Sequence, residues 1–163
     1  MDEWTESLLG RLEISREHVL GQLEGLSDEQ LRRPVLPSGW TCLGLVKHLA
    51  LADEHYWFSC ILGGAPLSFF DDVGDEWLVE PSESAQSIFD LYRGEIARSN
   101  EIISARDIDD PPLQPDPRWD DWKMDFPSMR VIMLHVMTET AVHSGHVDAA
   151  VELLDGRQWI VMG

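Results

Sequence analysis

Basic residues are scarce in this chain. Twelve lysines and arginines stand against thirty aspartates and glutamates over 163 residues, a formal charge of −18. A surface of that sign repels phosphate backbones and anionic headgroups, which excludes nucleic acid and the membrane surface as partners. Long apolar runs are missing too, and none approaches the roughly 20 residues needed to span a bilayer. Cysteine is limited to Cys42 and Cys60. On one helix the two lie about 27 Å apart, too far to bridge, and the lack of a disulfide framework fits a reducing compartment. The N-terminal MDEWTESLLGRLE lacks the basic-then-apolar order of a signal peptide. The expectation is a soluble, cytoplasmic protein. No glycine-rich phosphate cradle, nucleophile elbow or Cys-x-x-Cys pair occurs, so those chemistries have no support.

A hydrophobic share of 44% is that of a globular chain, and the length suits one domain over 1–163. Apolar residues recur at helical spacing in four long stretches, with no alternating segment that reads as a strand. The first runs from about Glu3 to Leu26, followed by a Ser27/Gln30 capping box. The second covers Thr41 to Leu62 and stops at Gly63-Gly64. The third spans Ser82 to about Ala105. The fourth opens at Ser128 after Pro127 and closes at Gly156. The fold class is therefore all-α, a four-helix bundle. Two long connections interrupt its economy, and such loops in a compact domain are usually functional or disordered. They carry Phe69, Phe70, Trp77, Trp119, Trp122 and Phe126, too many aromatics for disorder.

The fourth stretch contains HVMTETAVHSGHVD. At about 100° per residue, His135, Glu139, His143 and His146 share an arc of about 80°. Ile132, Val142, Ala150 and Leu153 fall on the same face, so these polar groups are expected against the core. A carboxylate buried among imidazoles must be paired, protonated or bound to a cation. Glu139 and His143, one turn apart, can chelate one metal, and His48 on the second helix can supply a third ligand. Two histidines and a carboxylate suit zinc with an open position, and equally iron, nickel or manganese. The alternative is a set of core histidines satisfied by carbonyl groups.

The segments GWTCLGLVKHLALADEHYWF and ETAVHSGHVDAAVELLDG resemble the DinB-like superfamily of metal-holding four-helix bundles. Within it, the chain is similar to the branch of mycothiol S-transferases and mycothiol-dependent maleylpyruvate isomerase. That resemblance implies His48, Glu139 and His143 as metal ligands. DinB proteins proper carry histidine where this chain has Glu139. The glutamate is similar to the maleylpyruvate isomerase pattern. Ser-Gly-His follows where Arg-Gly-Gln is frequent, so His146 falls outside the ligand set and joins His55 and His135 as supporting residues. The resemblance further implies a homodimer and a metal, most readily zinc, that activates the thiol of mycothiol or a similar molecule. Trp119 and Trp122 are candidates to stack on its sugar rings, and Arg118, Lys123 or Arg130 to meet a carboxylate. Tryptophans that merely pin the loop to the bundle are the competing reading. Cys42 and Cys60 read as apolar fillers. The expected activity is thiol attack on an electrophile, giving either S-transfer or an addition–elimination isomerisation. The alternatives are a non-catalytic, stress-related metal-binding protein, whose zinc would be closed by His146 or His55, and a non-haem iron enzyme.

Overall fold

The structure, a computed structural model, describes residues 1–67 and 75–159. Phe69 and Phe70 lie outside the described residues. In chain order the helices are α1 (Glu3–Leu23), α2 (Asp28–Leu31), α3 (Cys42–His48), α4 (Ala85–Ser104), α5 (Trp119–Trp122) and α6 (Met129–Asp155). A π-helical stretch, Leu49–Leu62, continues α3 without a break, and Asp75–Trp77 is a single tight turn. No strand occurs among the described residues, and none of their helices is long and apolar enough to cross a membrane. The all-α bundle expected from the sequence is the fold observed.

Local chemistry fixes the ends. Asp2 accepts the backbone N–H groups of Trp4 and Thr5, and Thr41 accepts that of Gly44 at 3.0 Å. The Ser27/Gln30 capping box forms with both of its hydrogen bonds, which satisfies two donors the short helix leaves open. Ser128 stands at the cap position of α6, yet its side chain makes no capping bond. Helix α1 stops three residues short of the expected Leu26, ahead of Gly25 in the left-handed region.

Helix α1 lies along α6, and α4 lies along the π-helical stretch. Two apolar clusters fill the interior. One holds Val19, Leu43, Leu45, Ala50, Tyr92 and Val147; the other holds Leu12, Trp57, Phe58, Ile103, Ile132 and Val136. Between them every long segment contributes buried polar groups. Arg16 lies between Leu12 and Val19, and Asp53 and Glu54 between Ala50 and Trp57. Glu95 and Ser99 lie between Tyr92 and Ile103, and Thr140 and Ser144 between Val136 and Val147. The bundle thus has a polar waist, and Glu139 and His143 belong to that level of α6.

The π-helical stretch is where the waist departs from a simple bundle. Its hydrogen bonds span five residues rather than four, which widens the helix; runs beyond one turn are rare and often sit at functional sites. Neighbouring Asp53 and Glu54 are both buried there. Glu54 faces α1, where both its oxygens accept from Arg16, at 2.8 and 2.6 Å. Asp53 faces a cavity instead.

Candidate functional site

The cavity at the waist has a volume of about 750 Å³ and is lined from the π-helical stretch, α4, α5 and α6. Its floor carries His48, Asp53, His135 and Glu139, and its walls include Tyr56, Trp57, Trp119 and Trp122. His48 ends α3 at one edge of this space. Its ring stacks on Trp77, with centroids 4.0 Å apart, and meets the His143 ring edge-on at 5.0 Å. His48 Nδ1 is buried and, among the described residues, has no hydrogen-bond partner. Glu76 Oε1 lies 3.8 Å from it, beyond hydrogen-bonding range. Burial, with His143 beside it, pushes the His48 pKa down to about 4. Burial lowers His143 and His135 as well, against the opposing charge of Glu139. All three imidazoles are therefore neutral at neutral pH, and each keeps a lone pair.

Of the expected ligands, His48 and His143 are brought together, and Glu139 lines the same cavity as His48. Among the described residues, however, no three His, Cys, Asp or Glu side chains are arranged as they stand to hold a metal ion. The supporting residues separate. His55 Nδ1 lies 3.1 Å from Glu95 Oε2, and both line the cavity. His135 packs edge-on against Trp57 and Phe126. His146 is exposed, with its Nδ1 3.5 Å from that of His143.

The face carrying these groups runs along the margin of the core. Ile132 and Ala150 are fully buried, but Val142 and Leu153 are more than half exposed, contrary to the expectation of a core face. Val136, Thr140, Ser144, Val147 and Val151 take the central position instead. His135, Glu139 and His143 end up half-buried, within reach of both protein and cavity.

The loop before α6 is held down by its own bonds. Tyr56 Oη donates to Asp116 at 2.7 Å, and Asp116 also accepts from the backbone and guanidinium of Arg118. Though its burial works the other way, these donors hold the Asp116 carboxyl below the usual range. Trp119 is buried and stacks on Trp57, as a loop anchor would. Trp122 is half exposed under the Arg118 guanidinium, 4.5 Å from it, and both line the cavity. Arg130 pairs with Asp109 and sits over Trp4, and Arg130 and Lys123 do not line the cavity. Cys42 is a buried thiol whose pKa burial pushes up to about 11, which leaves it inert near neutrality. Cys60 is buried too, and its Sγ donates to the carbonyl of Pro66.

Sequence reasoning did not single out Asp53, Glu76 or Glu95. Asp53 is the most consequential of them. It is 4% exposed, and its Oδ2 has no hydrogen-bond partner among the described residues. Burial first, then the nearby Glu54 and Glu139, raise its pKa well above the usual carboxylate range. The signal was present in LALADEHYWF, where two adjacent acids interrupt an apolar run.

The family model described as mycothiol-S-transferase matches residues 7–156. This chain belongs to the mycothiol S-transferase family. No curated protein and no solved structure matches it. The matched span takes in all but the first turn of α1, the other long helical segments and every residue of the waist, so the expected resemblance to mycothiol S-transferases holds over nearly the whole bundle.

Proposed function

We propose that this mycothiol S-transferase family member joins the sulfur of a small thiol, mycothiol or a close analogue, to an electrophile in the waist cavity. A divalent cation, zinc first among the candidates, is held by His48, Glu139 and His143. The observation that carries the reading is the buried Nδ1 of His48, without a hydrogen-bond partner among the described residues, beside His143 and with Glu139 in the same cavity. A buried imidazole nitrogen without a partner is costly unless something occupies it. The donor set is chemically right, with two neutral imidazoles and a carboxylate, and Glu139 must turn about its side-chain torsions to join the pair. When bound, such a cation stabilises a thiolate and brings the thiol pKa towards neutrality.

The chain's own residues supply the rest. Burial keeps His48 and His143 neutral, so neither needs to lose a proton before binding. Glu139 brings negative charge that offsets a cation. Trp57 and Trp119 exclude water from one wall, and the open face of Trp122 offers a sugar ring a stacking surface. In the transfer itself the sulfur forms a bond to the electrophilic carbon. The leaving group departs with its electron pair, and the thiol proton passes to solvent.

A second reading rests on His146, whose Nδ1 lies 3.5 Å from that of His143. As a fourth ligand it would close the site into a structural one without activity. Purified protein given mycothiol and a chlorobimane electrophile separates the two. Zinc-dependent thiol consumption that disappears in His48→Ala is expected, and absence of metal-dependent turnover across several thiols refutes the transfer reading. The resemblance also carries a homodimer, for which light scattering at twice the chain's mass is the expected result.

A further inference from the structure

The waist cavity holds a second imidazole–carboxylate pair, outside the proposed metal set. Glu95 is buried on α4; its Oε2 accepts the Ser59 hydroxyl at 3.3 Å and lies 3.1 Å from His55 Nδ1. A carboxylate oxygen only accepts, so Nδ1 carries the hydrogen and Nε2 is the nitrogen left to exchange protons. The His55 side chain lines the cavity and is 27% exposed, so solvent can reload it. An imidazole fixed by a buried carboxylate in this way is a recurring device for moving protons at an active site. Other donors in the lining are already engaged. Tyr56 Oη and the Arg118 guanidinium donate to Asp116, and Cys60 Sγ donates to the Pro66 carbonyl. Around His55 the charged or titratable groups are Glu95, with Arg98 3.9 Å beyond it, then Glu76, Arg118, His135 and Glu139 on the other walls and Asp53 on its own stretch.

Position along the helix assigns the pair its task. His55 follows His48 by seven residues, at most about 10 Å of helix axis, so it serves the far end of a molecule whose near end meets the sulfur. Resting on the thiol-transfer reading of the same cavity, we infer that His55, positioned by Glu95, is a catalytic acid for electrophiles whose oxygen takes up the displaced electron pair, such as epoxides and conjugated carbonyls. With an epoxide the sulfur–carbon bond forms, the carbon–oxygen bond breaks with its pair on oxygen, and His55 Nε2 delivers a proton there. The ring is left with its hydrogen on Nδ1, towards Glu95, and takes a replacement proton from solvent. The thiol's own proton has gone to solvent, so thiol plus epoxide gives a hydroxy thioether. A halide electrophile makes no use of the pair, because halide leaves with its electrons and needs no proton.

The test compares styrene oxide with chlorobimane as electrophiles for the zinc-loaded protein and mycothiol. His55→Gln should lower the ratio of the two kcat values about a hundredfold, the lower end of what a positioned proton donor supplies, with little change in KM for styrene oxide. Glu95→Gln keeps an acceptor for Nδ1 without its charge, and should lower the ratio by less. In wild type the ratio falls as rising pH strips the ring of its proton; in His55→Gln it stays flat. Added imidazole should restore His55→Ala on styrene oxide, which a merely structural histidine would not allow. Independently of activity, long-range proton–nitrogen NMR of metal-free protein should show the neutral His55 ring protonated at Nδ1, a preference lost in Glu95→Leu. A ring protonated at Nε2 overturns the inference even where the His55 variants fail to fold. So does a ratio unchanged in His55→Gln, or one that falls in Asp53→Asn instead. Transfer to chlorobimane with an unaltered ratio overturns the proton-donor role alone, whereas no transfer to any electrophile overturns the underlying reading and this role with it.

Discussion

Glu54→Gln removes one charge from the most enclosed ion pair in the bundle. Arg16 and Glu54 are both buried, and the guanidinium donates to both carboxylate oxygens at 2.8 and 2.6 Å. Breaking such a pair from one side leaves an uncompensated buried charge and costs about 3–5 kcal/mol. Arg16 keeps two further acceptors, Glu13 Oε1 at 2.8 Å and Asn100 Oδ1 at 2.9 Å, which places the cost near the lower figure. For a chain of this length about 3 kcal/mol corresponds to a fall in Tm of roughly 6–12 °C. Thermal melting by far-UV dichroism measures it. The double variant Arg16→Met/Glu54→Leu replaces the pair with apolar groups and should recover most of the loss, because a well-packed apolar substitute is often as stable as a buried ion pair. Glu54→Gln melting within about 2 °C of wild type, or a double variant no better than the single one, would refute the reasoning.

Two further expectations follow from the same waist. In chelator-treated protein, His48 binds its proton only near pH 4 when folded, but near 6.5 when unfolded. The unfolded state therefore binds more protons between those values. The contribution is complete above pH 6.5 and is lost as pH falls towards 4, by about 3 kcal/mol. His135 and His143 shift in the same direction and add to the slope. Urea midpoints at pH 7, 6 and 5 should fall steadily, and less steeply in His48→Gln; parallel slopes would contradict the assignment. Gly44→Ala would place its Cβ 2.5 Å from the Trp77 carbonyl oxygen, so the turn that lays Trp77 on His48 must move. Such overpacking costs about 1–3 kcal/mol, and an unchanged Tm and tryptophan emission would show that the turn is not seated there.

The four long segments were legible because each carries an apolar stripe at helical period, and the caps Ser27, Gly63-Gly64 and Gly156 mark ends that the structure shares. His48 and His143 could be paired on paper because both fall on half-apolar faces. What misled was the assumption of one α-helical register. The π-helical stretch resets which residues point inward beyond Leu49, so Asp53 and Glu54 were passed over although both are buried. On α6 the error was an offset of about one position. A face holding Ile132 and Ala150 also holds exposed Val142 and Leu153, since the central line is Val136, Thr140, Ser144 and Val147. Arg130 was a candidate to meet a carboxylate of the thiol, but its partner Asp109 lies 21 positions away, a pairing no local spacing encodes.

Whether His48, Glu139 and His143 take up one metal ion decides the proposed chemistry. Melting curves of wild type and Glu139→Gln, each with zinc and with EDTA, decide it. A cation at a hundred times its Kd stabilises the native state by about 2.7 kcal/mol, or roughly 5–11 °C at this chain length. The account predicts that EDTA lowers the wild-type Tm by that amount and scarcely moves the variant, whose metal affinity falls more than the ~10–100-fold typical of losing a supporting partner. Equal responses of the two proteins to EDTA, or none in either, would contradict the metal site and with it the proposed chemistry.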